Sequence, residues 1–303
     1  MLHLRVIAPG ELRDDVMGLL RANAGVTHIV VHPDAAVDPT GDEITADIAR
    51  ECADDIVRGL KALGVKESGA MTLEVLDTVL STRAWHAEDA AAGQPADAVI
   101  WDELVSRTRE ESTLTFTFVM FLCIACLIAA IGVVTDSPVT VVGAMVVGPE
   151  FGPLAGLAVA LVQRRSHLAQ RAALALLVGF PVAMAVTIAF TLIFEALGWV
   201  TLQTTRELNE VDFIFQVGPF SFVIALLAGA AGMLSLVSSK SAALVGVFIS
   251  VTTVPAAGFA VVAATIGDWH VAAQSTLQLA VNLTGITIAG VLVLWVYRLR
   301  RTR

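Results

Sequence analysis

Residues 139–162 read V-T-V-V-G-A-M-V-V-G-P-E-F-G-P-L-A-G-L-A-V-A-L-V and hold one charged side chain, Glu150. A bilayer core about 30 Å thick takes roughly 20 apolar residues in a helix, so this stretch is long enough to cross. It does not read as a plain helix. Gly148, Pro149, Gly152 and Pro153 crowd around Glu150 and Phe151. A proline in mid-helix removes an i to i−4 hydrogen bond and clashes with the preceding turn. Backbone left unpaired at membrane depth survives only when it is buried in protein or lines a wet cavity. The stretch predicts a broken, site-forming span. The alternative is a kinked helix whose small residues serve close packing.

Five more apolar runs surround it, at 114–134, 168–197, 217–237, 242–266 and 276–297, and none carries a central Lys or Arg. The reading is a six-span transmembrane domain over residues 112–303. Composition agrees: 56% of the chain is hydrophobic and 16% charged, where a soluble domain carries about 25% charged residues. The mean hydropathy is +0.77. Charge is unevenly placed. Residues 1–111 hold 21 acidic and 10 basic side chains, a net of −11, whereas residues 112–303 hold 7 and 9. Two regions in two solvents are implied. The acidic half has no basic stripe, which excludes nucleic acid as a partner.

Residues 1–80 read as a soluble domain. Leu2, Leu4 and Val6 alternate with polar neighbours in a strand over 2–8, and Leu12, Val16, Leu19 and Leu20 follow at helical spacing. A β-branched strand at 26–32 precedes a turn region at 33–41 and a strand at 43–48. An amphipathic helix over 52–63 ends at Gly64, and the last strand spans 70–76. Strand, helix, strand, strand, helix, strand is the split βαβ, ferredoxin-like pattern. Such folds often pair or bind small ligands, so a homodimer is expected, yet fold alone assigns no function. His28 and His32 share a strand face, and a half-exposed surface is a plainer reading for them than a metal site. Residues 81–96 lack a period and contain Gly93 and Pro95, so a linker is expected, followed by an amphipathic helix over 97–111.

Orientation follows from basic residues. With the head cytoplasmic, that side holds Arg164, Arg165, Arg171, Lys240, Arg298, Arg300, Arg301 and Arg303, against Arg206 alone outside. Both termini are then cytoplasmic, which an even span count requires. No N-terminal run has the length of a signal peptide, so the first span is expected to direct insertion. Cys123 and Cys126 form a C-x-x-C within an apolar run, with no second ligand pair; packing is the expected role, and no cofactor or metal is implied.

The second and fifth runs resemble each other. Gly143, Pro153 and Gly156 in one correspond to Gly246, Pro255 and Gly258 in the other. Each is the middle span of a group of three, and two such groups point in opposite directions, the inverted-repeat plan of many secondary transporters. Ser250, Thr252 and Thr253 precede Pro255 and can cap a second half-helix, as Pro149 or Pro153 can begin the first.

The stretch 135–156, T-D-S-P-V-T-V-V-G-A-M-V-V-G-P-E-F-G-P-L-A-G, resembles the signature of the bacterial hydrophobic membrane proteins grouped as domain of unknown function 389. Ser137, Pro138, Gly143, Ala144, Met145, Pro149, Gly152 and Pro153 carry the resemblance. Gly246, Pro255 and Asn282 match later family positions, and the likeness covers roughly residues 105–298. It departs at Glu150, where the family generally has an apolar residue, and at Ala256, where a second proline is usual. The resemblance implies a multi-pass protein of a bacterial inner membrane and no particular activity.

Function must come from polar groups in the spans. An acidic side chain at mid-membrane is costly and marks a site by default. Glu150 can carry a proton or hold a cation, or it can simply reach a wet vestibule. Asn282 can line a site or link helices; Gln216 and Gln278 lie near span ends and carry little weight. The candidate substrate or ion site comprises Gly148, Pro149, Glu150, Gly152, Pro153, Ser250, Thr252, Thr253, Pro255 and Asn282. It predicts a secondary-transporter-like protein in the lipid bilayer, moving a small solute or ion between spans two and five. The alternative is a membrane-anchored sensor or scaffold that signals through the head. Enzymatic activity is not expected, because no H-E-x-x-H, G-x-S-x-G or His/Asp cluster falls in the spans.

Overall fold

Leu2, Leu4, Val6 and Ala8 turn into the core from one face of the first strand, β1 (Leu2–Ala8). The computed structural model describes residues 1–91, 93, 98–199, 218–238 and 252–301. Contacts divide the chain into Met1–Glu103 and Leu104–Arg303.

In the first unit β1 is followed by α1 (Arg13–Arg21), β2 (Val26–Val37), β3 (Thr40–Ile48), α2 (Arg50–Ala62), a short α3 (Val65–Ser68) and β4 (Ala70–Val75). The sheet order is β2-β3-β1-β4, antiparallel throughout. Strand β3 thus separates β1 from β2, as the split βαβ pattern requires. Val6 opposes Ile44 and Leu4 opposes Ala46, and α1 and α2 cover this face with Val16, Leu20, Ile56 and Leu60. Period two in the strands and period 3.6 in the helices place one apolar set in one core. Gly64, at φ 81°, ends α2 in the left-handed conformation that glycine adopts without strain.

Two expectations fail here. Residues 33–37 are strand, not turn: β2 runs through Pro33 to Val37. It is an edge strand, where a missing N–H costs no ladder bond. Residues 82–90 are helix, not linker: α4 (Thr82–Ala90) begins at Ser81, whose Oγ accepts the Ala84 N–H at 3.3 Å. His28 and His32 do not act together. A register shift falls at His28, and its Nδ1 lies 2.7 Å from Asp47.

Asp42 is fully buried in this unit. Arg13 Nη2 donates to Asp42 Oδ1 at 2.8 Å, and the Asp34 backbone N–H donates to the same oxygen at 2.8 Å. The hydrogen bond from Arg13, then that from Asp34, holds the carboxyl below its ordinary range against the opposing cost of burial. A carboxyl lowered in the folded state adds stability above its unfolded pKa, and this is lost as pH falls through the lowered value. Asp42→Asn should therefore speed amide exchange in β1 and β3 at neutral pH, after correction for intrinsic rates. The difference from wild type should shrink in acid. A difference that is constant with pH would exclude the ionised pair as its source.

The second unit opens with the end of α5 (Trp101–Glu111) and continues through α6 (Phe116–Val134), α7 (Pro138–Val147), α8 (Phe151–Gln163), α9 (Ser166–Ala196), α10 (Pro219–Val237), α11 (Thr253–Thr265) and α12 (Trp269–Arg301). A Ser-Pro turn opens α7: Ser137 Oγ accepts the Thr140 N–H at 3.3 Å, and Pro138 takes the first helical position. Helices α7 and α8 meet at a 50° bend. The long helices α6, α9, α10 and α12 expose apolar side chains such as Phe116, Leu177, Phe220 and Leu292. By contrast α11 is enclosed by α6, α7, α9 and α12, and every residue from Thr253 to Ala263 is buried. A helix apolar on all sides belongs inside a bundle. The first half of the fifth expected span, 242–251, lies outside the described residues.

Candidate functional site

Helix α8 is preceded by Gly148, Pro149 and Glu150, and Glu150 is its N-cap residue. Helix α11 is preceded by Thr252. Both helices contain 13 residues, and both have proline in third position and glycine in sixth: Pro153 and Gly156 in α8, Pro255 and Gly258 in α11. The predicted break is real. Proline in the first turn costs no intrahelical bond, so the helix restarts where its prolines do least harm.

The two helix starts meet. The Thr253 hydroxyl donates to Glu150 Oε1. Gly148 makes room for the approach, because a Cβ there would collide with the Glu150 carboxylate and lie 2.8 Å from Val254 Cγ2. From Thr252 the polar chain continues into α12. Asn282 Nδ2 donates to Thr252 Oγ1 at 3.0 Å, and Gln278 Nε2 donates to Asn282 Oδ1 at 3.2 Å. Glu150, Thr253, Asn282 and Gln278 are all buried.

This chain is incompletely paired. Glu150 Oε2, Gln278 Oε1 and Ser275 Oγ are buried with no hydrogen-bond partner. A buried polar atom without a partner costs on the order of 1–3 kcal/mol, more when charged, and calls for an occupant. Two of the three are pure acceptors and the third can accept, so the set suits a proton, a cation or a donor group on a solute. The positive ends of α8 and α11 both lie at Glu150, which stabilises negative charge there.

The structure thus brings together Gly148, Glu150, Thr252, Thr253 and Asn282. Gly152 and Pro153 support the site from within α8. A Cβ on Gly152 would lie 2.7 Å from Glu111 Cβ, and Ser112 Oγ donates to the Gly152 carbonyl at 3.3 Å. Pro149 is half-buried in the break, and Pro255 is buried in the first turn of α11. Ser250 and Gly246 lie outside the described residues. Ser137 and Pro138 form the α6–α7 turn, Ala144 and Met145 are packed inward, and Gly143 faces open space. Sequence reading discounted Gln278 as a span-end residue and did not name Ser275. Helix α12 begins at Trp269, seven residues before the expected span, so both residues lie inside it rather than at its end.

Among the described residues four helices are long and apolar enough to cross a membrane, or five if the bent pair α7–α8 counts as one span. These long apolar helices are compatible with a multi-pass membrane protein. Residues 145–288 match the family model described as "Domain of unknown function (DUF389)". The chain is also similar to the uncharacterized protein MJ0678 of Methanocaldococcus jannaschii, at 22% identity over 212 residues, which are 69% of this chain and 63% of that protein. The family match and this distant relative together support membership of that family. No solved structure matches the chain.

Proposed function

We propose that the chain is a secondary-transporter-like protein that moves a small solute or ion through the site where α8 and α11 meet beside α12. The observation that carries this reading is the buried polar chain running from Glu150 and Thr253 through Thr252 and Asn282 to Gln278, in which Glu150 Oε2 and Gln278 Oε1 have no partner. Glu150 binds the coupling proton or cation, Gln278 and Ser275 complete its oxygen ligands, and Thr253 holds the carboxylate in place. The matched register of α8 and α11 supports two inverted groups of three spans. One comprises α6, α7–α8 and α9; the other comprises α10, the 242–266 run and α12. The placement of basic residues supports cytoplasmic termini. The head regulates the carrier or pairs two copies of it, and no catalysis is proposed.

The test is flux in proteoliposomes holding the full chain, with ion and pH gradients imposed in turn and a panel of small acids, amines and inorganic ions as solutes. Gradient-driven uptake that Glu150→Gln removes supports the reading. A tight, solute-free response confined to the head, with no flux under any gradient, supports the sensor reading instead. One observation favours that second reading: a third of the chain forms a unit of its own.

A further inference from the structure

A cleft of about 750 Å³ opens between α5 and the start of α9, within the second unit. Val105 and Arg109 line it from α5, Arg164 and Arg165 from the α8–α9 connection, and His167, Gln170 and Arg171 from the first turns of α9. Leu168 and Leu174 add an apolar wall. Four arginines thus face one concavity whose lining contains no carboxylate. Among the described residues Arg109, Arg164 and Arg171 form no ion pair, although Arg107, two residues before Arg109 on α5, is paired with Glu111 at 3.3 Å. Arg164 sits at φ 54°, a left-handed position after α8 where glycine is the usual residue. Like charges gathered this closely repel one another, so the arrangement favours a bound anion.

We propose that this cleft binds the phosphate headgroup of an anionic phospholipid. Guanidinium groups grip phosphate oxygens in forked pairs, which suits them to a phosphodiester. The surroundings select a lipid over a free anion. Leu174 is 53% exposed at the cleft wall, and Leu177, one turn further along α9, is 75% exposed. The charged concavity therefore runs directly into an apolar helix face that an acyl chain can follow. The Arg298 guanidinium, which donates to the Val162 carbonyl at 2.6 Å, ties α12 to the end of α8 beside this connection. Lipid in the cleft would consequently act on the same helices, α8 and α12, that hold the polar site.

The full-length protein in neutral detergent tests this by thermal-shift titration with phosphatidylglycerol, phosphatidylcholine or inorganic phosphate. Phosphatidylglycerol should stabilise the wild type, while the other two should not at matched concentration. The triple variant Arg109→Gln, Arg164→Gln, Arg171→Gln should bind phosphatidylglycerol on the order of a hundredfold more weakly, since each basic residue near an anionic surface contributes a roughly fivefold factor. The matching triple Lys variant should bind between the wild type and the Gln variant, keeping the charge but losing the forked contacts. Equal stabilisation by phosphatidylcholine, or unaltered binding by the Gln variant, overturns the proposal. Equal stabilisation by inorganic phosphate overturns the lipid assignment in favour of a soluble anion. If the Gln variant does not fold, the wild type decides: phosphatidylglycerol binding must weaken as salt rises, and binding indifferent to salt refutes a charge-held headgroup.

Discussion

Glu150→Gln should abolish gradient-coupled flux while leaving the protein folded and inserted. The amide is nearly isosteric with the carboxyl and can still accept from Thr253, so the contact between α8 and α11 persists. What disappears is the ability to carry charge at a buried position where the other members of the polar chain, Thr252, Thr253, Asn282 and Gln278, are neutral. Removing the one ionisable ligand from such a set removes binding of a proton outright and of a metal cation almost as completely. Flux measured against pH and against each cation in turn reads this directly. A Gln variant with wild-type flux and unchanged pH dependence would refute the role. Glu150→Ala is the less informative substitution, because it also strands the Thr253 hydroxyl in an apolar interior.

A large structural effect is expected at Gly229. A Cβ there would lie 2.6 Å from Ile286 Cα and 2.7 Å from its carbonyl oxygen, both backbone atoms of α12 that cannot step aside. Gly229→Val must push α10 from α12 along one of the most extensive contacts in the second unit. Overpacking of this kind costs about 1–3 kcal/mol or more. Loss of folded protein in detergent, read by size-exclusion and thermal unfolding, is the expected result. Gly143→Val is the matched control, since nothing lies within 4 Å of a Cβ there. Equal stability of the two variants would show that the α10–α12 contact does not form as described.

The broken span was legible because its cause is local. Two glycines and two prolines in six residues cannot sustain a continuous helix, and the chain breaks at Gly148 to Glu150. Strand β1, helix α2 with Gly64, and the Ser137-Pro138 turn were legible for the same reason: each depends on near neighbours. Thr252, Thr253 and Asn282 were singled out for their own chemistry, and the fold joins them to Glu150. Gln278 was not legible. Its value depends on helix α12 starting at Trp269, and the polar residues between 269 and 276 hid that start. Helix α4 was obscured by Gly93 and Pro95, which follow it closely, and by an alanine-rich composition with no apolar stripe. Pro33 in β2 reads as a strand breaker until the sheet order shows that β2 is an edge.

The enclosure of α11 bears on how the protein is made. Thirteen residues of helix extend about 20 Å, too short to cross the hydrocarbon layer alone. Its cover comes from helices on both sides of it in the chain, and α12 is synthesised after it. A nascent chain released before Trp269 would present Thr252, Thr253 and Glu150 without their sheath. A chain truncated in that interval should therefore be cleaved faster by added protease than the full chain, as limited proteolysis of the two in detergent would read.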